Sequence, residues 1–363
     1  MAYNTDVSCH ILHDRLKLEE KFYSEHTISL DSKSYLTLLD LYFKPEQFFS
    51  GEKNKEPLFD KIFPSNPDYD ENHKEIPATK DFLSWNGWIF RGHKDSEWSL
   101  CSTLERLYSK TNSEKSIFEM EQGLIRDFRR RRNNYGLTVN ESDIYETIAN
   151  MQHYGLATRF LDFSYSFFVA LYFACRNIDI DINASQNDIK KGSFSIWCVN
   201  RMWLEHTYKK YLPEEIKTLY QNDEFGKDVE TQNKVLNYVN EKLKSGEDYL
   251  SSFRSVINMT PFFLNDRLER QRGTFLFQTN LFISFEDNLR NLCALSGEDG
   301  KYRVLKINVE YDNRTLLYLN SFLNEMNIND YVLFNDIEHL SSSINQKAFF
   351  PNDSIISNHS YLK

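Results

Sequence analysis

Residues 152–175 read QHYGLATRFLDFSYSFFVALYFAC, and the division of this stretch decides the fold. Its second half is apolar around the whole circumference for three turns, which places a helix inside the domain rather than on its surface. Its first half leads Gln152, His153, Tyr154, Thr158, Arg159 and Asp162 directly into that helix. A buried polar group without a partner costs roughly 1–3 kcal/mol, so these side chains must pair with one another or with a ligand. Structurally, Asp162 or Ser164 caps the helix, and Arg159 with Asp162 forms an internal ion pair. His153 has no second histidine at ligand spacing, so it reads as a hydrogen-bonded core histidine and no metal is expected.

Upstream of this stretch, Trp88-Ile89-Phe90 before Arg91-Gly92 reads as a short buried strand running into a turn. Ile117, Met120, Leu124, Ile125 and Phe128 recur at helical spacing and predict a long helix over 114–134, with a second over about 141–151. Residues 32–49 read as an aromatic-rich helix entered from Asp31 or Ser32 and ended near Pro45. Pro57, Pro64, Pro67 and Pro77 lie among charges in 51–80, the best candidate boundary. Downstream, strands are expected at 194–199, 274–285 and 304–309, and helices at 312–325 and 336–346. The polar, Lys/Glu-rich segment 203–250 reads as an insertion packed on one side.

Without regular βαβ alternation the class is α+β. The expected organisation is a helical extension (1–50), a connector (51–80), one domain (81–346) and a tail (347–363). The strand near Trp88–Arg91 is expected beside the strand that begins near Thr274.

Composition excludes whole classes. Pro 8 and Gly 12 in 363 residues rule out collagen-like and linker-rich chains. Phe 28, Tyr 21 and Trp 5 supply the area for a full core despite a mean hydropathy of −0.58. No run approaches the roughly 18 apolar residues of a membrane span. The charged start carries no signal-peptide pattern. Cys9, Cys101, Cys175, Cys198 and Cys293 form no CxxC pair and read as thiols of a cytoplasmic protein. The net charge of −10 opposes non-specific nucleic-acid coating. No P-loop, HExxH, GxSxG or EF-hand pattern is present.

Three further groups carry possible chemistry. Arg91, at a strand end beside a glycine, suits a bidentate grip on a pyrophosphate or carboxylate, or a structural pairing with Asp162. Glu269-Arg270-Gln271-Arg272 precedes an apolar strand and reads equally as a hairpin's solvated entrance. Arg126, Arg129, Arg130, Arg131 and Arg132 crowd a helix C-terminus, where interaction with the helix dipole and solubility outweigh RNA or DNA binding as the reading.

Taken in order, these residues resemble the FRG domain family, named for the motif that stands here as Phe90-Arg91-Gly92. The family signature runs close to QHYGLPTRLLDWTxSPxxALYFA. This chain departs from it at Ala157, Phe160, Phe163, Ser164 and Phe167 and keeps Gln152, His153, Thr158, Arg159 and Asp162. Arg270–Phe275 looks like the family's AQxGxF segment and Tyr331–Glu338 like its close, so the resemblance extends over about 80–346.

The motif order is also similar to ADP-ribosyltransferases, which implies a related core and NAD as the ligand. That resemblance gives Arg91, Gly92, His153, Tyr154, Thr158, Arg159 and Ser164 to NAD binding. It gives Arg91, Asp162, Glu269 and Gln271 to catalysis, with Glu338 as a further acid. Members resemble components of prokaryotic anti-phage and mobile-element loci. The resemblance therefore implies a toxin-type transferase or NAD glycohydrolase acting on a protein or nucleic acid, with a partner or antitoxin protein. The alternative is a non-catalytic module that recognises a nucleotide, nucleic acid or phage protein.

Overall fold

The apolar run Phe167–Cys175 is helical in the computed structural model, opened by Ser166, whose hydroxyl accepts the Val169 N–H at 3.4 Å. All of its residues but Phe173 are buried. The five residues before Tyr165, Phe160–Ser164, form a strand. The cap is therefore Ser166, not the expected Asp162 or Ser164, because those two residues lie in the strand.

The structure describes residues 21–30, 37–49, 58–63, 68–69, 75–76, 84–135, 144–176, 178, 191–210, 217, 235–241, 254–259 and 266–334. In chain order the first elements are β1 (Ser24–Ser29), α1 (Thr37–Phe43), α2 (Pro45–Phe48), α3 (Leu58–Ile62), β2 (Asp68–Tyr69), β3 (Glu75–Ile76) and β4 (Trp88–His93). Next come α4 (Thr103–Ser109), α5 (Ile117–Arg131), α6 (Ile144–His153), β5 (Phe160–Ser164), α7 (Phe167–Cys175), β6 (Lys191–Asn200) and α8 (Arg201–Lys210). The chain continues through β7 (Val256–Met259), α9 (Asp266–Arg270), β8 (Gly273–Gln278), α10 (Phe285–Leu295), β9 (Val304–Asp312), α11 (Asn313–Glu325) and α12 (Asp330–Phe334).

This is an α+β fold built on one seven-stranded mixed sheet, in the order β1-β9-β6-β4-β5-β8-β7. Only the β1–β9 pairing in it is parallel. β4 is paired along its whole length with β6, and β5 along its whole length with β8. Between β4 and β5 the register has a single pair, Phe90 with Ser164. The sheet is thus split in the middle, because the pairs that would follow, Arg91 with Phe163 and Gly92 with Asp162, do not form.

Alternation along β4 explains the layers. Trp88 and Phe90 join α1, α7 and α11 in a core on one face, while Ile89 joins α4, α5, α6 and α10 in the core opposite. Gly92 shares the first face, and α7 lies directly on it. A Cβ there would stand 1.9 Å from the Ala170 carbonyl oxygen and 2.6 Å from the Ala174 nitrogen. The glycine of the Phe-Arg-Gly motif is what lets helix and strand touch.

Several expectations are corrected. β4 does not neighbour β8, because β5 lies between them. The N-terminal segment contributes β1, an edge strand of the sheet, beside its helices. The strand expected to reach 285 ends at Gln278, and Phe285 opens α10. Within the expected insertion, Val235, Leu236 and Val239 are fully enclosed and belong to the main core. In the connector, α3 sends Ile62 into the other core. The helix at 336–346, the tail and Glu338 lie outside the described residues. Cys175, Cys198 and Cys293 are free and buried, whereas Cys101 is disulfide-bonded, which corrects the all-thiol reading. No helix among the described residues is long and apolar enough to cross a membrane.

Candidate functional site

Where β4 and β5 part, a cleft of about 610 Å³ opens. Arg91, Gly92, Asp162, Ser164 and Gln271 line it, together with His93, Lys94, Glu97, Trp98 and Arg106. Arg91 lies across the gap. Its Nη1 donates to the Asp162 main-chain carbonyl at 2.6 Å, and its Nε donates to His93 Nε2 at 3.0 Å. Nη2 makes no hydrogen bond among the described residues. Burial pulls the Arg91 pKa down to about 10, opposed by the Asp162 charge and reinforced by Arg106.

His93 is buried, and desolvation, then Arg91, hold its pKa well below the ordinary histidine value. A neutral imidazole is what the geometry needs, since Nε2 must accept the Arg91 proton. Arg106, on α4, donates from Nη1 to the Cys101 carbonyl, and burial lowers its pKa against the pull of Glu105 and Asp162. The Asp162 carboxylate is exposed and makes no hydrogen bond among the described residues.

Ser164 and Gln271 also line the cleft. The Ser164 hydroxyl donates to the Gln271 carbonyl at 2.7 Å, and the Gln271 amide donates to the Leu333 carbonyl at 3.3 Å. Arg272, at φ 47°, makes the left-handed turn that delivers Gln271 from α9 to the start of β8.

The remaining expected residues serve the fold or lie apart. Arg159 is wholly buried and pairs through Nε with Glu121 Oε1 at 2.6 Å, through Nη2 with Glu121 Oε2, and with Asn240 at 3.0 Å. The expected pair with Asp162 does not form, because alternation along β5's approach turns Arg159 toward α5. Thr158 staples α4 to the entry of β5: its N–H donates to Thr103 Oγ1 at 2.9 Å, and its carbonyl accepts the Leu104 N–H at 3.0 Å. Gly155, at φ 79°, ends α6 in a left-handed turn that lets the Leu156 N–H reach the Met151 carbonyl at 2.9 Å. His153 stands beside Arg267 with its pKa lowered by desolvation, and Tyr154 is half exposed against it, but neither lines the cleft. Glu269 is exposed and also outside it.

The arginine run does not present one face. Arg126, Arg130 and Arg131 are exposed, Arg132 is buried, and Arg129 reaches Thr147 on α6 at 3.4 Å. Among the described residues no group of three or more His, Cys, Asp or Glu is placed to hold a metal ion.

The split sheet and its arginine-lined cleft define an α+β protein with a candidate site at the seam of the sheet. Residues 86–181 match the family model of the FRG domain, so the chain carries an FRG domain there. The match takes in Phe90-Arg91-Gly92 and the whole of 152–175, and ends before the segments at 270–275 and 331–338. No curated protein and no solved structure matches the chain.

Proposed function

We propose that the cleft binds a phosphate-bearing nucleotide through Arg91, with NAD as the first candidate. The carrying observation is the Arg91 guanidinium, anchored on two sides with Nη2 left over, in a cleft of a size that suits a nucleotide. An arginine fixed in this way binds an anion without first losing rotamer freedom. The residues present suit NAD: Arg91 and Arg106 for phosphates, Trp98 for a flat ring, and Asp162 as an open carboxylate beside them.

In this reading the protein is a prokaryotic anti-phage or toxin-type effector that transfers ADP-ribose from NAD to a protein or nucleic acid, or hydrolyses NAD. The nicotinamide–ribose bond breaks with its electron pair on the nicotinamide. The acceptor supplies the pair for the new bond and loses its proton to solvent. Asp162 opposes the positive charge that develops at the ribose, since its carboxylate lines the cleft and is not engaged by a hydrogen bond from another described residue. Glu269 has no part in this, and Gln271 lines the cleft while its amide is tied to the Leu333 carbonyl.

The test is incubation of the purified protein with labelled NAD and cell extract. NAD loss or label transfer is expected for the wild type and not for Asp162→Asn, which still binds NAD. A second reading, a module that holds a nucleotide without cleaving it, is favoured by the position of Glu269 outside the cleft. It is the reading to adopt if NAD binds and is neither consumed nor transferred.

A further inference from the structure

Arg106 was not singled out by any sequence pattern, yet it shares the cleft with Arg91. The two guanidiniums are held from different parts of the chain. Arg91 is fixed by Asp162 of β5 and His93 of β4, and Arg106 by the Cys101 carbonyl just before α4. The Thr103–Thr158 staple sets α4 against the entry to β5, and this places Arg106 near Asp162. Each arginine keeps an Nη2 that no described residue accepts from.

Basic side chains outnumber acidic ones on the cleft wall: Arg91, Lys94, Arg106 and Arg267 stand against Glu97 and Asp162. Asp162 is the carboxylate that acts on both arginines, and Arg106 disfavours the charge of Arg91. Glu105 also acts on Arg106, but its oxygens are already taken by the Ser102 N–H at 2.6 Å and the Phe285 N–H at 2.8 Å. Two guanidiniums facing one low-dielectric cleft repel, and an anion with two charged centres relieves that repulsion more than an anion with one.

We propose that Arg91 and Arg106 form a two-armed clamp for a pair of linked phosphates, so that the cleft selects a diphosphate-bearing nucleotide over a monophosphate. This rests on the nucleotide-binding reading above and specifies its ligand class. A single phosphate fills one arm and leaves the second guanidinium unneutralised; a diphosphate fills both.

Calorimetric titration of the full chain with inorganic pyrophosphate and inorganic phosphate, at matched ionic strength, tests the clamp. The wild type is expected to prefer pyrophosphate by about tenfold or more, the value of one charge-assisted hydrogen bond. Arg106→Gln is expected to bring that preference below roughly threefold. Arg106→Lys keeps the charge and a donor for the Cys101 carbonyl, so it is expected to fold and to retain much of the preference; Arg106→Gln also keeps a donor for that carbonyl, which guards against a variant that fails to fold. Retention of the preference in folded Arg106→Gln overturns the clamp. If NAD still binds the wild type and is lost in Arg91→Ala, the nucleotide site survives that failure. A wild type that takes up neither pyrophosphate nor NAD overturns both.

Discussion

Arg91 Nη1 donates to the main-chain carbonyl of Asp162 at 2.6 Å, across two strands that pair with each other only at Phe90 and Ser164. The side chain supplies a hydrogen bond that the split sheet has given up, since an unpaired strand carbonyl facing a partly buried gap needs a donor. The same side chain therefore both holds the seam and looks into the cleft.

The motif glycine has a packing role that gives a first expectation. Gly92→Ala drives a methyl into the Ala170 carbonyl and the Ala174 nitrogen, both main-chain atoms of a buried helix that has little room to retreat. A loss of about 3 kcal/mol, at the upper end of ordinary overpacking, is expected in chemical denaturation. An unchanged midpoint and slope would show that α7 does not rest on this strand.

The buried Arg159–Glu121 pair gives a second. Glu121→Leu alone strands a guanidinium in the core and is expected to cost about 3–5 kcal/mol. Glu121→Leu with Arg159→Met removes both charges, and most of that loss is expected to return. The comparison is a double-mutant cycle by urea unfolding. If the single variant is harmless, Arg159 is not the structural residue described here.

Much of this was legible in the sequence where local pattern suffices. Helix α7 shows itself because Phe167–Cys175 has no charged residue, and α5 because its apolar spacing follows the Ser116–Glu119 capping box. The strand β5 was hidden because its five residues run straight into the helix, and overlooking it made β4 and β8 look like neighbours. β1 gave little signal because its sequence, SEHTIS, buries only Ile28. In the site, Arg91 and Asp162 stand out by motif. His93 follows from the same strand, two residues after Arg91; Trp98 and Arg106 do not stand out, because tertiary contacts such as Thr103 with Thr158 bring α4 to the cleft.

A third expectation concerns pH. His93 has a folded pKa well below the ordinary histidine value of 6.5, chiefly through burial and then the Arg91, Lys306 and Arg106 charges, with the Trp98 main chain opposing. Below that value the unfolded chain binds the proton and the folded one does not, so stability is present above it and falls as the pH drops through it. Between about pH 7.5 and about pH 5.5 one such group removes about 1.4 kcal/mol. His93→Gln is expected to show that much less acid loss than the wild type. His26 and His153 are shifted in the same direction but are common to both proteins. Equal acid loss in the two proteins would mean that His93 takes up its proton in the folded state.

The most direct measurement is a calorimetric titration of NAD into the full chain and into Arg91→Gln, which keeps a donor for the Asp162 carbonyl but no charge. The wild type is expected to bind NAD and the variant to bind about tenfold or more weakly, with melting temperatures close together. Equal affinities, or a wild type that takes up no NAD, would contradict the assignment of this cleft.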